Sequence, residues 1–372
     1  MGCFFWYGFS YFLGQKKSKN NNVMLKKIWY NSVKLFLKVS LNFYAKEIKI
    51  SGRENIPKKG AVLFAINHPN ALMDPLFVTS FNPRENHFLV RADVFKKPLI
   101  KKALATLNLM PIYRIRDGRK QLSNNEEIFK KCFSILKKQQ TLIIFPQGGH
   151  CRDRTIQPLS KGFTRIVFGA LEENPSLEIT VIPVGITYQN SGKYPCKVAV
   201  KFGLPIISSE ILNNNPKPKA ILILKEKVSS QLKKLTVHIP NDENYKTTLE
   251  QLNKAYLDFT EVDTVNKIII KNELPKTNIA KKNNLNLIFY LIIINSCIPY
   301  LFWKRQKQKI KEKEFIDTMR FGVNTILFPF FYFLQAIIIS WFFNFKIGVL
   351  YFFLSISIVF IYTKLSPIQT ED

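Results

Sequence analysis

Two short stretches bring together side chains from which acid–base chemistry is built. The first, Asn67-His68-Pro69-Asn70-Ala71-Leu72-Met73-Asp74-Pro75, places a histidine six positions before an aspartate. Imidazole titrates near neutrality, so His68 is a natural general base. Asp74 is suited to accept the ring N–H, fix the tautomer and stabilise the cation formed on proton uptake. Geometry sets a condition, because six positions on a continuous helix turn by about 240° and put the two residues on different faces. His68 must then lie in a loop, with the chain folding back so that Asp74, in the first turn of a helix, reaches it. Pro69 favours an extended His68, and Pro75 suits a first helical position. Met alone, a histidine–aspartate pair of this kind is more often structural than catalytic.

The second stretch, Pro146-Gln147-Gly148-Gly149-His150-Cys151-Arg152-Asp153-Arg154, is followed by Lys161-Gly162. Its glycines let backbone N–H groups approach a ligand, and Arg152, Arg154 and Lys161 are able to neutralise a phosphate. A tight turn with a solvated charge cluster explains the same residues equally well. Met110 to Gly118 adds Arg114 and Arg116 at a strand end, where exposed charges usually just meet solvent. Cys151 lies beside the second loop, but a nearby thiol is not in itself a covalent site. The five cysteines and four histidines are dispersed without a CxxC pair, which argues against a disulfide framework or a structural zinc. Nothing in the pattern demands a metal or another cofactor, and a reducing, cytosol-facing catalytic region is the simplest expectation.

The elements that must carry these loops alternate. Strands are predicted at Tyr44–Ile50, Ala61–Ile66, His87–Arg91, Met110–Tyr113, Thr141–Phe145, Ile179–Val184 and Val198–Phe202. Helices are predicted at Asp74–Ser80, Phe95–Leu107, Asn124–Lys138 and Gly162–Glu172. Strand–helix alternation implies an α/β fold, a mixed and largely parallel sheet flanked by helices. Loops after its strands are the usual place for a site.

Taken together, four segments between about Gly52 and Pro205 resemble the glycerophospholipid acyltransferase superfamily, of the glycerol-3-phosphate and 1-acylglycerol-3-phosphate acyltransferase type. Asn67-His68 through Asp74-Pro75 looks like the first motif, whose His and Asp form the family's catalytic dyad. Met110–Arg114 resembles the second, whose Arg helps bind phosphate. Phe145-Pro146-Gln147-Gly148 resembles the third, usually Phe-Pro-Glu-Gly, and Val181-Ile182-Pro183-Val184 resembles the fourth, near the acyl-binding wall. Five residues, not the usual four, separate His68 from Asp74, as in a branch resembling fungal glycerol-3-phosphate acyltransferases. Gln147 stands where the family has Glu, and its amide still hydrogen-bonds hydroxyls, so weakened but not absent activity is expected. His150 stands in place of the family's Arg, leaving Arg152, Arg154 and Lys161 as substitute phosphate partners.

Composition supplies the membrane. The 372 residues carry 55 Lys+Arg against 26 Asp+Glu, a formal net charge of +29, with 47% hydrophobic residues and 32 Phe. A disordered basic tail lacks such hydrophobicity. Leu285 to Trp303 is 19 residues without a charge, Phe321 to Phe343 is 23, and Ile347 to Thr363 is 17. A bilayer core takes about 20 apolar residues in a helix. The latter two, joined at Asn344-Phe345-Lys346, are predicted to be a spanning hairpin. Basic flanks on both sides of 285–303, with Asn286, Asn295, Ser296 and Pro299 inside it, predict a re-entrant or interfacial segment there; three simple spans are the alternative. Residues 24–43 form a basic amphipathic pattern, suited either to an anionic membrane surface or to packing on the protein's own core. The run Cys3–Leu13 is too short to span and lacks signal-peptide features, so a membrane-touching tip or an over-extended start is expected.

The expected organisation is therefore an N-terminal membrane-associated segment (1–43), an acyltransferase domain (44–235), a polar accessory segment (236–284) and a C-terminal membrane region (285–372). The resemblance implies transfer of an acyl group from acyl-CoA or acyl carrier protein to glycerol 3-phosphate or a lysophospholipid, at the cytosolic face of an inner or cytoplasmic membrane. His68 and Asp74 would be catalytic, and Arg114, Gln147, Gly148, Arg152, Arg154 and Lys161 would bind substrate. The alternative is a non-catalytic lipid-binding or scaffold protein retaining the fold. Nucleic acid is not an expected partner, since no reader motif accompanies the charge.

Overall fold

The computed structural model describes residues 3–113, 124–273 and 286–367. An eight-stranded sheet is built from β1 (Ala45–Ser51), β2 (Ala61–Ile66), β3 (Asn86–Arg91), β4 (Leu109–Ile112), β5 (Thr141–Ile144), β6 (Ile179–Tyr188), β7 (Cys196–Phe202) and β8 (Ile206–Ile207). Its order is β1-β7-β6-β2-β5-β3-β4, with β8 added against β6. Every pairing is parallel except those of β6 with β7 and β8. The fold is thus the mixed, largely parallel α/β sandwich expected. The C-terminal ends of β2, β4, β5 and β6 share one edge of the sheet.

The central strands are apolar throughout because helices cover both faces. On β2, Ala61, Leu63 and Ala65 enter the core shared with α4 (Asn124–Lys137), α5 (Gly162–Glu173) and α7 (Lys217–Leu235). Val62, Phe64 and Ile66 enter the opposite core, with α2 (Met73–Phe81) and the end of α1 (Cys3–Tyr44). The remaining helices of this half are α3 (Pro98–Thr106) and α6 (Ser208–Asn213). The segment expected only to be polar folds into α8 (Tyr245–Lys254) and α9 (Val262–Lys271), which pack a third small core with Val237, Ile239 and Phe259. Lys197 on β7 and Lys49 on β1 bind Asp258 at 2.8 and 3.3 Å and hold this unit in place.

Helix α1 is continuous from Cys3 to Tyr44. Ile28, Trp29, Leu35, Phe36 and Val39 remain exposed, whereas Tyr30, Leu41 and Tyr44 are buried. One face of this helix packs on the protein's own core, through Leu41 and Tyr44, and the other is left exposed. At the C-terminus, α10 (Asn286–Asn295) and α11 (Cys297–Lys307) meet at 95°. Polar side chains hold the bend: Ser296 Oγ lies 2.5 Å from Tyr332 Oη, and Asn295 bonds Ser355 and Tyr351 at 3.1 and 2.6 Å. Then follow α12 (Ile316–Gly322), a π-helical turn at Val323–Leu327, α13 (Phe328–Phe342) and α14 (Phe345–Leu365). After one intervening residue, the π turn is followed by Pro329, whose ring and missing N–H disturb a regular ladder.

Lys313–Phe342 and Phe345–Leu365 are each long and apolar enough to cross a membrane. Asn344 caps α14 through its side chain, at 3.0 Å from the Ile347 N–H. Gly348 lets the two helices touch, since a Cβ there would overlap Ser340 and the Ala336 carbonyl.

Candidate active site

The loop after β2 supplies the proposed base. Asn67, buried at its start, bonds both backbone groups of Ile186 on β6, at 2.9 and 2.7 Å. The chain then turns back through Ala71, held in the left-handed region at φ 41°, and Met73 N–H bonds the Asn70 carbonyl at 3.0 Å. This reversal puts Asp74, in the first turn of α2, beside His68: Nδ1 to Oδ2 is 2.7 Å. The condition set by helix geometry is met by a loop. Pro75 is the third residue of α2, not its first, because the helix begins at Met73.

Asp74 is fully buried and accepts three hydrogen bonds. Oδ2 takes the Asn70 N–H at 2.8 Å besides His68, and Oδ1 takes the Tyr188 hydroxyl at 2.8 Å. Burial pushes its carboxyl above the usual range, against the opposing pull of His68, Asn70 and Tyr188. The His68 ring stacks on Phe145, centroids 3.8 Å apart, and tilts against His150 at 4.1 Å. With Nδ1 committed to Asp74, Nε2 is the nitrogen left for proton exchange.

The loop after β5 lies against this one. Gln147 Oε1 accepts the His68 backbone N–H at 3.2 Å, and Cys151 N–H donates to the His68 carbonyl at 3.0 Å. Gly148 adopts φ 75°, a conformation that glycine takes without strain, and both Gly148 and Gly149 border open space. Burial raises the Cys151 thiol above its ordinary value, which does not favour a thiolate nucleophile. A polar cavity of about 40 Å³ beside Asn67, Gln147, Arg152 and Tyr188 has room for water.

The basic residues divide. Arg154 gives its guanidinium to the Tyr188 and Gln189 carbonyls at 3.1 and 2.8 Å and lies 3.7 Å over Phe259, bracing the sheet edge against the accessory unit. Arg152, half-buried, reaches the Lys313 carbonyl and lies over Gly192. Lys161 is exposed at the N-terminus of α5, drawn toward the loop by Ser160 N–H on the Pro146 carbonyl at 2.7 Å. Arg114 lies outside the described residues. Its neighbour Tyr113 is fixed through both backbone groups by Asn125, at 3.0 and 2.8 Å.

Residues 47–187 match the family model described as Acyltransferase. This stretch is similar to the acyltransferase family. Over 122 residues the chain is 25% identical to glycerol-3-phosphate O-acyltransferase 2 of Saccharomyces cerevisiae, covering 32% of this chain and 16% of that protein. Over 161 residues it is 25% identical to a chloroplastic 1-acyl-sn-glycerol-3-phosphate acyltransferase of Brassica napus, covering 43% and 44%. It therefore spans less than half the length of these relatives. The solved 1-acyl-sn-glycerophosphate acyltransferase of Thermotoga maritima covers 56% of this chain and 80% of its own, at 20% identity and a TM-score of 0.42.

Several residues around the His68–Asp74 pair are not singled out by the sequence. Tyr188 sits beyond the predicted end of β6. Asn70 and Asp317 form a buried link: Asn70 Nδ2 bonds Asp317 Oδ2 at 2.8 Å. Asp317, on α12 and 1% exposed, also receives the Tyr44 hydroxyl (2.9 Å), the Gly192 N–H (2.7 Å) and the Arg320 guanidinium (3.1 Å). An acid among apolar and basic residues at the mouth of a membrane segment was the available signal.

Proposed function

We propose that this protein is a membrane-bound O-acyltransferase. It moves a fatty acyl group from an acyl-CoA or acyl carrier protein thioester to a hydroxyl of glycerol 3-phosphate or lysophosphatidic acid, in phospholipid biosynthesis. The observation that carries the proposal is the 2.7 Å bond between His68 Nδ1 and the buried Asp74, on the sheet edge where α/β folds place ligands. The acceptor classes named by the relatives support it.

In this mechanism His68 Nε2 takes the acceptor hydroxyl proton as that oxygen attacks the thioester carbonyl carbon. Asp74 stabilises the imidazolium. The oxyanion collapses, the C–S bond breaks, and the departing thiolate receives the proton from His68, giving an ester and a free thiol. Arg114, Arg152 and Lys161 hold the acceptor phosphate, and Gln147 and Gly148 shape the loop beside it. Arg154 acts by positioning that loop. The dyad faces the cytosolic side of the membrane, where soluble thioester donors are found.

The test is to supply the detergent-purified protein with labelled acyl-CoA or acyl carrier protein and a panel of acceptors. Ester formation on a phosphate-bearing glycerol acceptor is expected, and its absence with every donor and acceptor contradicts the proposal. A second reading, a lipid-binding protein without turnover, is favoured by one observation: Gln147 lacks the charge of the family's Glu. It predicts lipid binding with no ester formed even in Gln147→Glu.

A further inference from the structure

We infer that the membrane half of the protein contains a binding site for one anionic glycerophospholipid. A cavity of about 520 Å³ lies between α1, the bent pair α10–α11, the α12–α13 helix and α14. This is the size of a small-molecule site, and the walls have the expected makeup, mostly apolar with a few polar groups. Phe36, Ile293, Phe328 and Val359, from four different helices, line it. Lys193, Lys307 and Arg320 also line it.

Three features specify the occupant. The walls are formed in part by the two helices able to cross a membrane, so the molecules with access to them are bilayer lipids. The charged lining residues are all cations, as suits a headgroup of net negative charge and not a zwitterionic or cationic one. The 95° break falls at Ser296, which itself lines the cavity. Interrupted helices at membrane depth are tolerated where they face protein or a cavity, and here the interruption does so.

The site also touches the network behind the dyad. Arg320 donates to the Gly192 carbonyl at 2.8 Å and to Asp317, which holds Asn70 in the His68–Asp74 loop. A headgroup beside Arg320 is thus two hydrogen-bonded residues from that loop. The inference goes beyond the proposed acyl transfer and does not depend on it.

The test uses the full chain in phosphatidylcholine nanodiscs doped with a photoreactive phosphatidylglycerol or, separately, a photoreactive phosphatidylcholine, with labelled peptides mapped after irradiation. The wild type is expected to label on α10, α13 and α14, and to prefer the anionic probe about fivefold or more, the scale of one lipid–cation contact. Ile293→Trp and Val359→Trp, which fill the cavity from α10 and from α14, should remove that labelling. Lys307→Gln, at an exposed side chain, should erase most of the headgroup preference and carries the test if a Trp variant fails to fold. His68→Ala should label like wild type, separating lipid binding from turnover. Equal labelling of wild type and a folded Trp variant overturns the site, and equal labelling by the two probes in wild type overturns the anionic assignment. Headgroup preference unchanged in Lys307→Gln also overturns that assignment.

Discussion

Asn70 Nδ2 and Asp317 Oδ2 lie 2.8 Å apart, joining the loop that carries His68 to the helix that leads into the membrane. Both residues are buried, and Asn70 Oδ1 has no hydrogen-bond partner, so this contact is the loop residue's side-chain tether among the described residues. The C-terminal region is thereby a structural part of the site's foundation. Asp317→Ala leaves Arg320 without its carboxylate and should cost about 3 kcal/mol, the usual scale for breaking a buried ion pair. Asn70→Ala should cost about 1–2 kcal/mol. Apparent melting temperature in detergent reads the first effect, and kcat reads both. Unchanged stability in Asp317→Ala would show that the link contributes nothing.

Tyr188 supplies the hydrogen bond to Asp74 Oδ1. In Tyr188→Phe that oxygen stays buried without this donor, a loss of about 1–3 kcal/mol. Turnover should fall about tenfold or more with little change in KM for the acceptor, because Tyr188 positions the dyad through Asp74. A change confined to KM would instead place Tyr188 in contact with substrate.

Gln147 accepts the His68 N–H, a bond that a carboxylate oxygen makes equally well. Gln147→Glu should therefore retain the melting temperature and raise turnover, with a gain below about tenfold, the scale of one charge beside the acceptor. Gln147→Ala removes the bond and should lower turnover. If both variants behave like wild type, the two loops do not depend on this contact.

How much of this was legible follows from what each residue answers to. Strand β2 is a continuous apolar run because both faces are covered, and it was found with its bounds intact. The sequence pattern predicts that β6 ends at Val184, yet it runs to Tyr188. At Gly185, just past that point, a Cβ would overlap the Leu235 carbonyl at the end of α7. That missed extension is what carries Tyr188 to Asp74. Arg154, read as a phosphate partner from its neighbours, spends its guanidinium on two carbonyls that only the folded loop brings near. Asp317 acts across 247 positions from Asn70, a relationship set by tertiary packing and not by local pattern.

The docking of the accessory unit has a pH signature. Burial alone would raise the Asp258 carboxyl, but its bonds to Lys197 and Thr260 hold it down at about 2. A carboxylate depressed below its unfolded value of about 3.9 stabilises the fold above that pH, and the contribution is lost as pH falls through about 2. Asp258 is partly exposed, which discounts the effect to about 1–2 kcal/mol. Asp258→Asn should thus melt below wild type at pH 7, with the gap closing between pH 4 and pH 2. A gap independent of pH would contradict the ion-pair account.

In the proposed reaction His68, held by Asp74, is the base of an acyl transfer. The most direct measurement is single-turnover ester formation from a labelled acyl thioester and glycerol 3-phosphate, comparing wild type with His68→Ala under conditions where both proteins are folded by melting temperature. His68→Ala is expected to lose at least about 10²-fold in rate, the lower bound for a positioned general base. A rate within a factor of a few of wild type would contradict it.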